Sequence, residues 1–231
     1  MRVSIGVLSV FALLSGVAPL EGQELRSDSY KWYFGLTGGG LMAQTQTQDY
    51  QVYPSVGAHL SVIGKLGGVT LSFEESFGDN EESAFGFAFP GVNDTGDTVL
   101  AFPIHSASFD RVRKYSATLM AYPMKARLEP YLGVGFGLMH TVGTQIESSV
   151  PTPEEAIVAD SVLQVRTSTG FGSFVGGLQY GAGSSMVLYG QYQITTSPAS
   201  GNLLTGPTHA LLFGVRFRLG RAKDDIKGGG Y

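Results

Sequence analysis

Four histidines are the side chains of this sequence best suited to acid–base chemistry, and they are His59, His105, His140 and His209. A hydrolase would need a nucleophile, a base and an orienting acid in one hydrogen-bonded chain. His59 and Ser61 share one strand face, whereas His140 and His209 fall on the opposite, outward register of their segments. Because no such set of three is apparent, we assign no catalytic residue and predict that the protein is not an enzyme.

The residues also do not form a recognisable metal-binding or nucleotide-binding motif. Asp94, Asp97 and the acidic stretch 79–82 carry oxygen ligands that Ca²⁺ could use, but they lack the spacing of the known calcium-binding loop. The run Gly38–Gly40 is not followed by a helix that could hold a phosphate. Without cysteine, the chain also has no thiolate metal site and no disulfide. We therefore predict no metal site and no cofactor.

Composition restricts the class of protein further. The chain has 231 residues with 33 glycines, 11% aromatic and 15% charged residues, which favours many short strands. Its net charge is −4 and no lysine or arginine cluster stands out, so nucleic acid is not expected as a partner.

Residues 1–22 have the layout of a secretory signal peptide. Arg2 precedes an apolar run from Val3 to Leu14, and small residues lead into a polar stretch. A retained membrane helix is the alternative, but serines and glycines interrupt the run and acidic residues follow it. Cleavage is predicted near Gly22–Gln23, with Ala18 as a second candidate, leaving residues 23–29 as a short periplasmic segment.

The mature chain contains eight segments that alternate apolar with polar or small residues, the pattern of a transmembrane barrel. The segments are Tyr30–Ala43, Gln51–Gly64, Gly68–Gly78, Ala107–Tyr122, Leu128–Val142, Val162–Tyr180, Ser184–Thr195 and Thr208–Leu219. They predict an all-β fold, an eight-stranded antiparallel up-and-down barrel over residues 30–219. Residues 220–231 are then a flexible C-terminal tail.

One segment, PYLGVGFGLMH, shows how the faces of these strands differ. Its odd positions include Gly133, Gly135 and Gly137, while its even positions from Leu132 to Leu138 are large and apolar. An eight-stranded barrel has room inside for few large side chains. The glycines are therefore predicted to face the lumen and the large residues to face hydrocarbon.

The predicted connections alternate in length. Those at 44–50, 79–106, 143–161 and 196–207 are long, and those at 65–67, 123–127 and 181–183 are short. Outer-membrane barrels have short periplasmic turns and longer extracellular loops, so the alternation predicts the direction of insertion as well as the fold.

The PYLGVGFG strand, the QYQI pattern at Gln191–Ile194 and the closing HALLFGVRFRL at His209–Leu219 resemble the small eight-stranded outer-membrane barrels of Gram-negative bacteria. That group includes the transmembrane domain of outer-membrane protein A and the opacity-type surface proteins. The resemblance covers residues 30–219. It implies export to the cell outer membrane, contact with outer-membrane lipids and lipopolysaccharide, and insertion by the barrel assembly machinery.

Five charged residues fall on the predicted inward register: Glu74, Asp110, Lys114, Arg216 and Arg218. A charge in a narrow interior needs a partner or a water, because desolvation without one is costly. We expect these residues to form a lumen charge network, with Glu74 and Arg216 as its principal pair. Hydration at the mouth is the alternative for Arg218.

The resulting functional hypothesis is a monomeric outer-membrane barrel with a structural or surface-interaction role, such as adhesion or membrane integrity, and a lumen filled by side chains. An extracellular ligand would bind through the long loops. A narrow porin-like channel for small or apolar solutes and a lipid-modifying outer-membrane enzyme are the alternatives.

Overall fold

The computed structural model describes residues 30–92, 97–124, 127–147, 152–182, 185–199 and 201–219. The predicted signal peptide, the segment 23–29, the C-terminal tail and Asp94 lie outside these ranges. Within the described ranges, no helix is long and apolar enough to cross a membrane.

Eight long strands form a closed antiparallel barrel, which confirms the predicted fold class. They are β1 (Lys31–Thr45), β2 (Gln51–Ile63), β3 (Gly67–Gly86), β6 (Ile104–Ala121), β7 (Leu128–Val142), β9 (Ser168–Gly181), β10 (Met186–Thr195) and β11 (Leu204–Leu219). The neighbour order is β3-β2-β1-β11-β10-β9-β7-β6, and β6 pairs back onto β3. Closure pairs the edges of the sheet, which removes the free edges of an open sheet.

The remaining elements lie at the rim that carries the long connections, here called the long-loop rim. A hairpin of β4 (Phe89–Val92) and β5 (Thr98–Ala101) joins β3 to β6. The short β8 (Gln145–Ile146) pairs with the upper part of β6, and helix α1 (Pro153–Arg166) precedes β9. The opposite rim, with only short connections, is called the short-turn rim.

Two sequence predictions at the long-loop rim are wrong. The segment Val162–Tyr180 was predicted as one strand, but residues 153–166 form α1 and the strand begins at Ser168. The connection 79–106 was predicted as a loop, but β3 continues to Gly86 and β6 starts at Ile104. The two strands pair beyond the expected rim, from Glu81 opposite Phe109 to Gly86 opposite Ile104.

Local sequence explains why α1 is a helix. The Thr152 side chain accepts a hydrogen bond from the Glu155 backbone N–H, and Pro153 occupies the first turn. Glu154 and Glu155 lie in the first turn and Arg166 in the last, where their charges suit the helix dipole. These signals are present in the sequence. The helical period of the hydrophobic residues is weak, however, because apolar side chains lie on both the buried and the exposed faces of the helix.

A β-bulge lies where β3 and β6 leave the regular barrel. The register of β3 shifts between Phe77 and Glu81, opposite residues 109–111 of β6. Below this point the even-numbered residues of β3 and β6 are buried, and above it the odd-numbered residues are buried. A bulge changes the face to which the following side chains point.

The predicted faces of β7 are confirmed. Leu132, Val134, Phe136 and Leu138 are 51–72% exposed on the outer surface. A Cβ atom at Gly137 would lie 2.6 Å from the Phe171 ring and closer still to the Tyr115 backbone oxygen. Glycine is therefore required there by the close approach of neighbouring groups.

Large apolar side chains cover the outside of the barrel while the polar ones turn inward. Exposed examples occur on every long strand: Trp32, Phe34, Leu36, Val52, Val56, Val69, Leu71, Tyr115, Leu119, Phe136, Phe174, Leu188, Tyr192, Leu211, Phe213 and Phe217. This is the reverse of the arrangement in a water-soluble barrel. An outer surface of this kind suits hydrocarbon.

Candidate functional site in the barrel lumen

The middle of the lumen holds four buried charged side chains. Glu74 from β3, Lys114 from β6, Glu129 from β7 and Arg216 from β11 are each 4% exposed or less. The alternation of the strands turns these side chains inward, and barrel closure brings them together. Among the described residues, two acids thus balance two bases in this buried section of the lumen.

Glu74 and Lys114 form a direct ion pair. The two residues are cross-strand neighbours, and Glu74 Oε2 lies 2.7 Å from Lys114 Nζ. Lys114 Nζ also donates to Gln193 Oε1 across the lumen, at 2.7 Å. The ammonium group therefore joins the β3–β6 wall to β10.

Arg216 is the centre of a second group. Its Nε donates to His59 Nε2 at 3.2 Å, and its Nη1 donates to Gln179 Oε1 at 3.0 Å. The guanidinium also lies over the Tyr189 ring, 4.2 Å from the ring centre. Because His59 accepts at Nε2, its proton lies on Nδ1, which is 3.3 Å from the Tyr189 hydroxyl.

Gln179 links Arg216 to the buried carboxylate of Glu129. The Gln179 amide accepts from Arg216 through Oε1 and donates to Glu129 Oε2 through Nε2, at 2.8 Å. An amide has both a donor and an acceptor, so Gln179 can bond to a cation and an anion at once. The chain of contacts crosses from β11 to β7.

A cavity of about 20 Å³ lies between the two groups. His59, Glu74, Tyr189, Gln193 and Arg216 are among the residues that line it. About 10–15 Å³ is enough for one water molecule. This cavity therefore has room for one bound water molecule.

Buried, mainly apolar side chains lie on both sides of this polar section. Toward the short-turn rim lie Tyr33, Ile63, Met120, Tyr122, Tyr131, Val175, Val187 and Tyr189. Toward the long-loop rim a larger cluster includes Leu41, Tyr53, Phe85, Phe109, Met139, Phe171 and Leu212, together with Ala159 and Leu163 of α1. We call this second cluster, with α1, the mouth plug.

Polar contacts hold the mouth plug onto the strands. Arg166 at the end of α1 donates to the carbonyl oxygens of Gly86 and Gly201, at 2.7 and 2.9 Å. His105 Nε2 lies 3.2 Å from Glu155 Oε1 on the buried side of α1. Ser83 Oγ donates to the Leu203 carbonyl at 2.7 Å. The helix is thus tied to β3, β6 and the connection before β11.

The structure distributes the five predicted network residues differently from the sequence hypothesis. Glu74, Lys114 and Arg216 are buried in the lumen, but Glu74 pairs with Lys114 rather than with Arg216. Asp110 is exposed, because the bulge places it outside the inward register. Arg218 is half-buried near the short-turn rim, where its backbone N–H donates to the Ser185 carbonyl. The control of conduction by this network stays a prediction.

Sequence reasoning missed Glu129, His59 and Gln179 as members of the network. Glu129 shares the odd-numbered register of Gly133 to Gly137, so the same alternation would have placed it inside. His59 and Gln179 follow the inward registers of β2 and β9 in the same way. The predicted network is made of charged side chains alone, so it does not include the neutral Gln179.

The four histidines lie in separate places. His59 is in the lumen and His105 contacts α1, while His140 and His209 are on the outer surface. His140 Nδ1 lies 2.7 Å from Ser168 Oγ, and His209 Nδ1 contacts the Tyr192 hydroxyl. In the described ranges no three histidine, aspartate or glutamate side chains are grouped as metal ligands.

Comparison with known proteins shows a likeness in structure. No protein-family model and no curated protein matches the chain. Neisserial surface protein A superposes with a TM-score of 0.54 at 9% identity, over 83% of this chain and 99% of that one. The N-terminal β-barrel domain of Pseudomonas aeruginosa OprF gives 0.46 at 12% identity, over 81% and 97%. Ail, the attachment invasion locus protein of Yersinia pestis, gives 0.39 at 12% identity, over 82% and 97%.

The likeness to Neisserial surface protein A concerns the fold, since identity is 9%. Together with the closed eight-stranded sheet, it establishes that this chain has the fold of the small outer-membrane barrels.

Proposed function

We propose that the protein is a barrel of the Gram-negative outer membrane with a non-conducting lumen, and that its long-loop rim performs a structural or surface-interaction role. The observation that carries the proposal is the inverted surface, with large apolar side chains outside and buried charges inside. An exterior of this kind is stable only against lipid. The fold shared with Neisserial surface protein A is consistent with that location.

The buried ion pair and the apolar clusters inside the barrel favour the non-conducting role over a channel. Ion or solute flow would have to separate the mouth plug from the strands and then break the Lys114–Glu74 and Arg216–Gln179 contacts. Breaking a buried charge pair leaves an uncompensated charge, which costs several kcal/mol. The thermal population of an open path is therefore small.

Insertion can be tested with one charge on the outer surface. Val134 is 51% exposed on β7, inside the apolar belt, whereas Ile157 is 70% exposed on α1, outside it. Val134→Lys should impair folding into lipid vesicles by about 2–4 kcal/mol, because a cation at the bilayer midplane is costly. Ile157→Lys, the matched control, should fold normally. The readout is the fraction of protein that migrates as folded barrel on gels without boiling.

Equal folding of both variants, or recovery of the wild-type chain as a soluble periplasmic protein, would contradict the membrane assignment. For the lumen, planar-bilayer recordings should show no discrete conductance steps. Regular steps from folded protein would overturn the non-conducting role and favour the channel alternative.

A further inference from the structure

The outer surface carries a row of polar side chains that have no part in the polar contacts of the lumen. Glu75 of β3 is the cross-strand partner of Arg113 of β6, Arg113 is the partner of His140 of β7, and His140 is the partner of Ser168 of β9. All four residues have the outward register, and Arg111 lies beside them on β6. We call this set the outer polar row.

The outer polar row lies at the long-loop end of an apolar surface. The positions directly below it, toward the short-turn rim, are Phe73, Tyr115 and Leu138, which are 37%, 47% and 62% exposed. The Phe73 and Tyr115 rings pack 5.2 Å apart, and the Arg113 guanidinium lies 5.9 Å from the Phe73 ring centre. This surface therefore has apolar side chains below and charged side chains above. A lipid of the outer leaflet has the same order, with acyl chains below its headgroup.

Glu75 accepts only some of the hydrogen bonds that Arg111 and Arg113 can donate. Arg113 Nη2 and Arg111 Nη1 both point to the same oxygen, Glu75 Oε1, at 3.0 and 3.4 Å. Their side chains remain 32% and 41% exposed. A guanidinium has four Nη–H donors beside its Nε–H, and Glu75 Oε1 accepts from one Nη of each arginine, so further Nη donors remain for an acceptor above the apolar surface. The two guanidinium groups share one carboxylate, and their exposed donors can bind a further anion.

From this geometry we propose that the outer polar row binds the phosphorylated headgroup of lipopolysaccharide, with Arg111 and Arg113 holding a phosphate. Arginine forks match phosphate oxygens in pairs. The proposal rests on the proposed function, because the long-loop rim must face the outer leaflet.

The width of the row favours this lipid over a phospholipid. Four adjacent strands span three spacings, or about 14 Å. A single phosphate would occupy only the arginine end, whereas a headgroup with sugar hydroxyls and more than one anionic group would also reach His140 and Ser168. Their Nδ1 and Oγ atoms lie 2.7 Å apart at the other end of the row.

The surface below Ser168 also has room for an acyl chain. Gly170 and Gly172 of β9 are the cross-strand neighbours of Leu138 and Phe136. A Cβ atom at Gly170 would come no closer than 3.9 Å to another group. The absence of side chains there leaves space beside two exposed apolar residues, directly beneath the polar row.

The experiment is native mass spectrometry of the folded full-length chain, released from detergent after incubation with one lipid. The probes are bisphosphorylated lipid A, monophosphorylated lipid A and phosphatidylglycerol. The test variant is Arg111→Gln with Arg113→Gln. The matched control is Arg127→Gln at the short-turn rim, where the guanidinium also lies over an aromatic ring, 5.0 Å from the centre of Tyr180.

The double variant should lower the occupancy of bisphosphorylated lipid A about tenfold, since charge-assisted hydrogen bonds are lost, while Arg127→Gln should not change it. Glu75→Gln should raise the occupancy, because it removes the competing carboxylate. A purely structural ion pair would give no such increase. Monophosphorylated lipid A should bind less tightly than the bisphosphorylated form.

Undiminished lipid A binding by the folded double variant would overturn the inference and leave the proposed function intact. Equal loss of phosphatidylglycerol would also overturn it, because the arginines would then serve any anionic lipid. Failure of the wild-type chain to enter vesicles would instead contradict the proposed function.

Discussion

The polar middle of the lumen and the mouth plug are held together by different forces. In the middle, Glu74, Lys114, Glu129 and Arg216 are supplied by four strands and paired directly or through Gln179. At the mouth, Ala159 and Leu163 of α1 pack onto apolar side chains of the strands. The polar middle depends on the balance of its charges, and the mouth plug depends on the fit of its apolar side chains. Loss of one partner should therefore cost more in the middle than loss of a contact at the mouth.

The largest effect is expected from breaking the Glu74–Lys114 pair. Lys114→Met leaves Glu74 buried without its cation and should lower the free energy of unfolding by about 3–5 kcal/mol. Urea unfolding in lipid vesicles measures the change. Adding Glu74→Gln removes the orphaned charge and should restore part of the loss. Lys65→Met, at an exposed turn, is the control; strict additivity of the two lumen changes would contradict the pairing.

The mouth plug should be weakened by a cavity in α1. Leu163 is 2% exposed, and Leu163→Ala removes apolar contacts at a cost of about 2–5 kcal/mol. Because the strands pair independently of α1, we expect local release of the helix, seen as faster protease cleavage within 153–166. Val165 is 79% exposed, so Val165→Ala should leave cleavage unchanged. Equal cleavage of both variants would show that the helix is not held by this packing.

A smaller loss of stability is expected when a methyl group is added at a lumen-facing glycine. Gly137→Ala places a methyl group against the Phe171 ring and the Tyr115 backbone, and overpacking of this kind costs about 1–3 kcal/mol. At Gly176 the same methyl group would meet only Leu132 Cδ2, at 3.6 Å. Gly176→Ala should therefore be nearly neutral. Thermal unfolding of the two variants compares them, and a reversed order would refute the assigned faces of β7 and β9.

The smallest effect is expected for a neutral hydrogen bond in the polar middle. Ser72 and Ser116 hydroxyls lie 2.6 Å apart on β3 and β6. Ser72→Ala should cost about 1 kcal/mol in vesicle unfolding, because one uncharged bond is lost. A loss as large as that of Lys114→Met would mean that hydroxyls, not charges, hold this part of the lumen together.

Sequence alternation gave the positions of Glu74, Lys114 and Arg216 but not their contacts. The inward face of a strand follows from a period of two, whereas the partner of a side chain depends on the register of several strands. Glu74 therefore meets its cross-strand neighbour Lys114, and Arg216 reaches His59 and Gln179 instead. The predicted inward position of Asp110 is wrong for a related reason. At the bulge, the residues that point inward change from even-numbered to odd-numbered positions.

Sequence alternation is enough to predict the number of barrel strands, their alternating connections and the faces of residues such as Gly135 and Phe136. Those properties depend on a pattern that any strand facing lipid on one side and a narrow interior on the other must carry. Three other features appear only in the folded chain: α1 packs at the mouth, Glu129 is linked to Arg216 through Gln179, and Arg113, His140 and Ser168 form one row. Each of these joins residues far apart in the chain, and such contacts are fixed by barrel closure and strand register rather than by local preference.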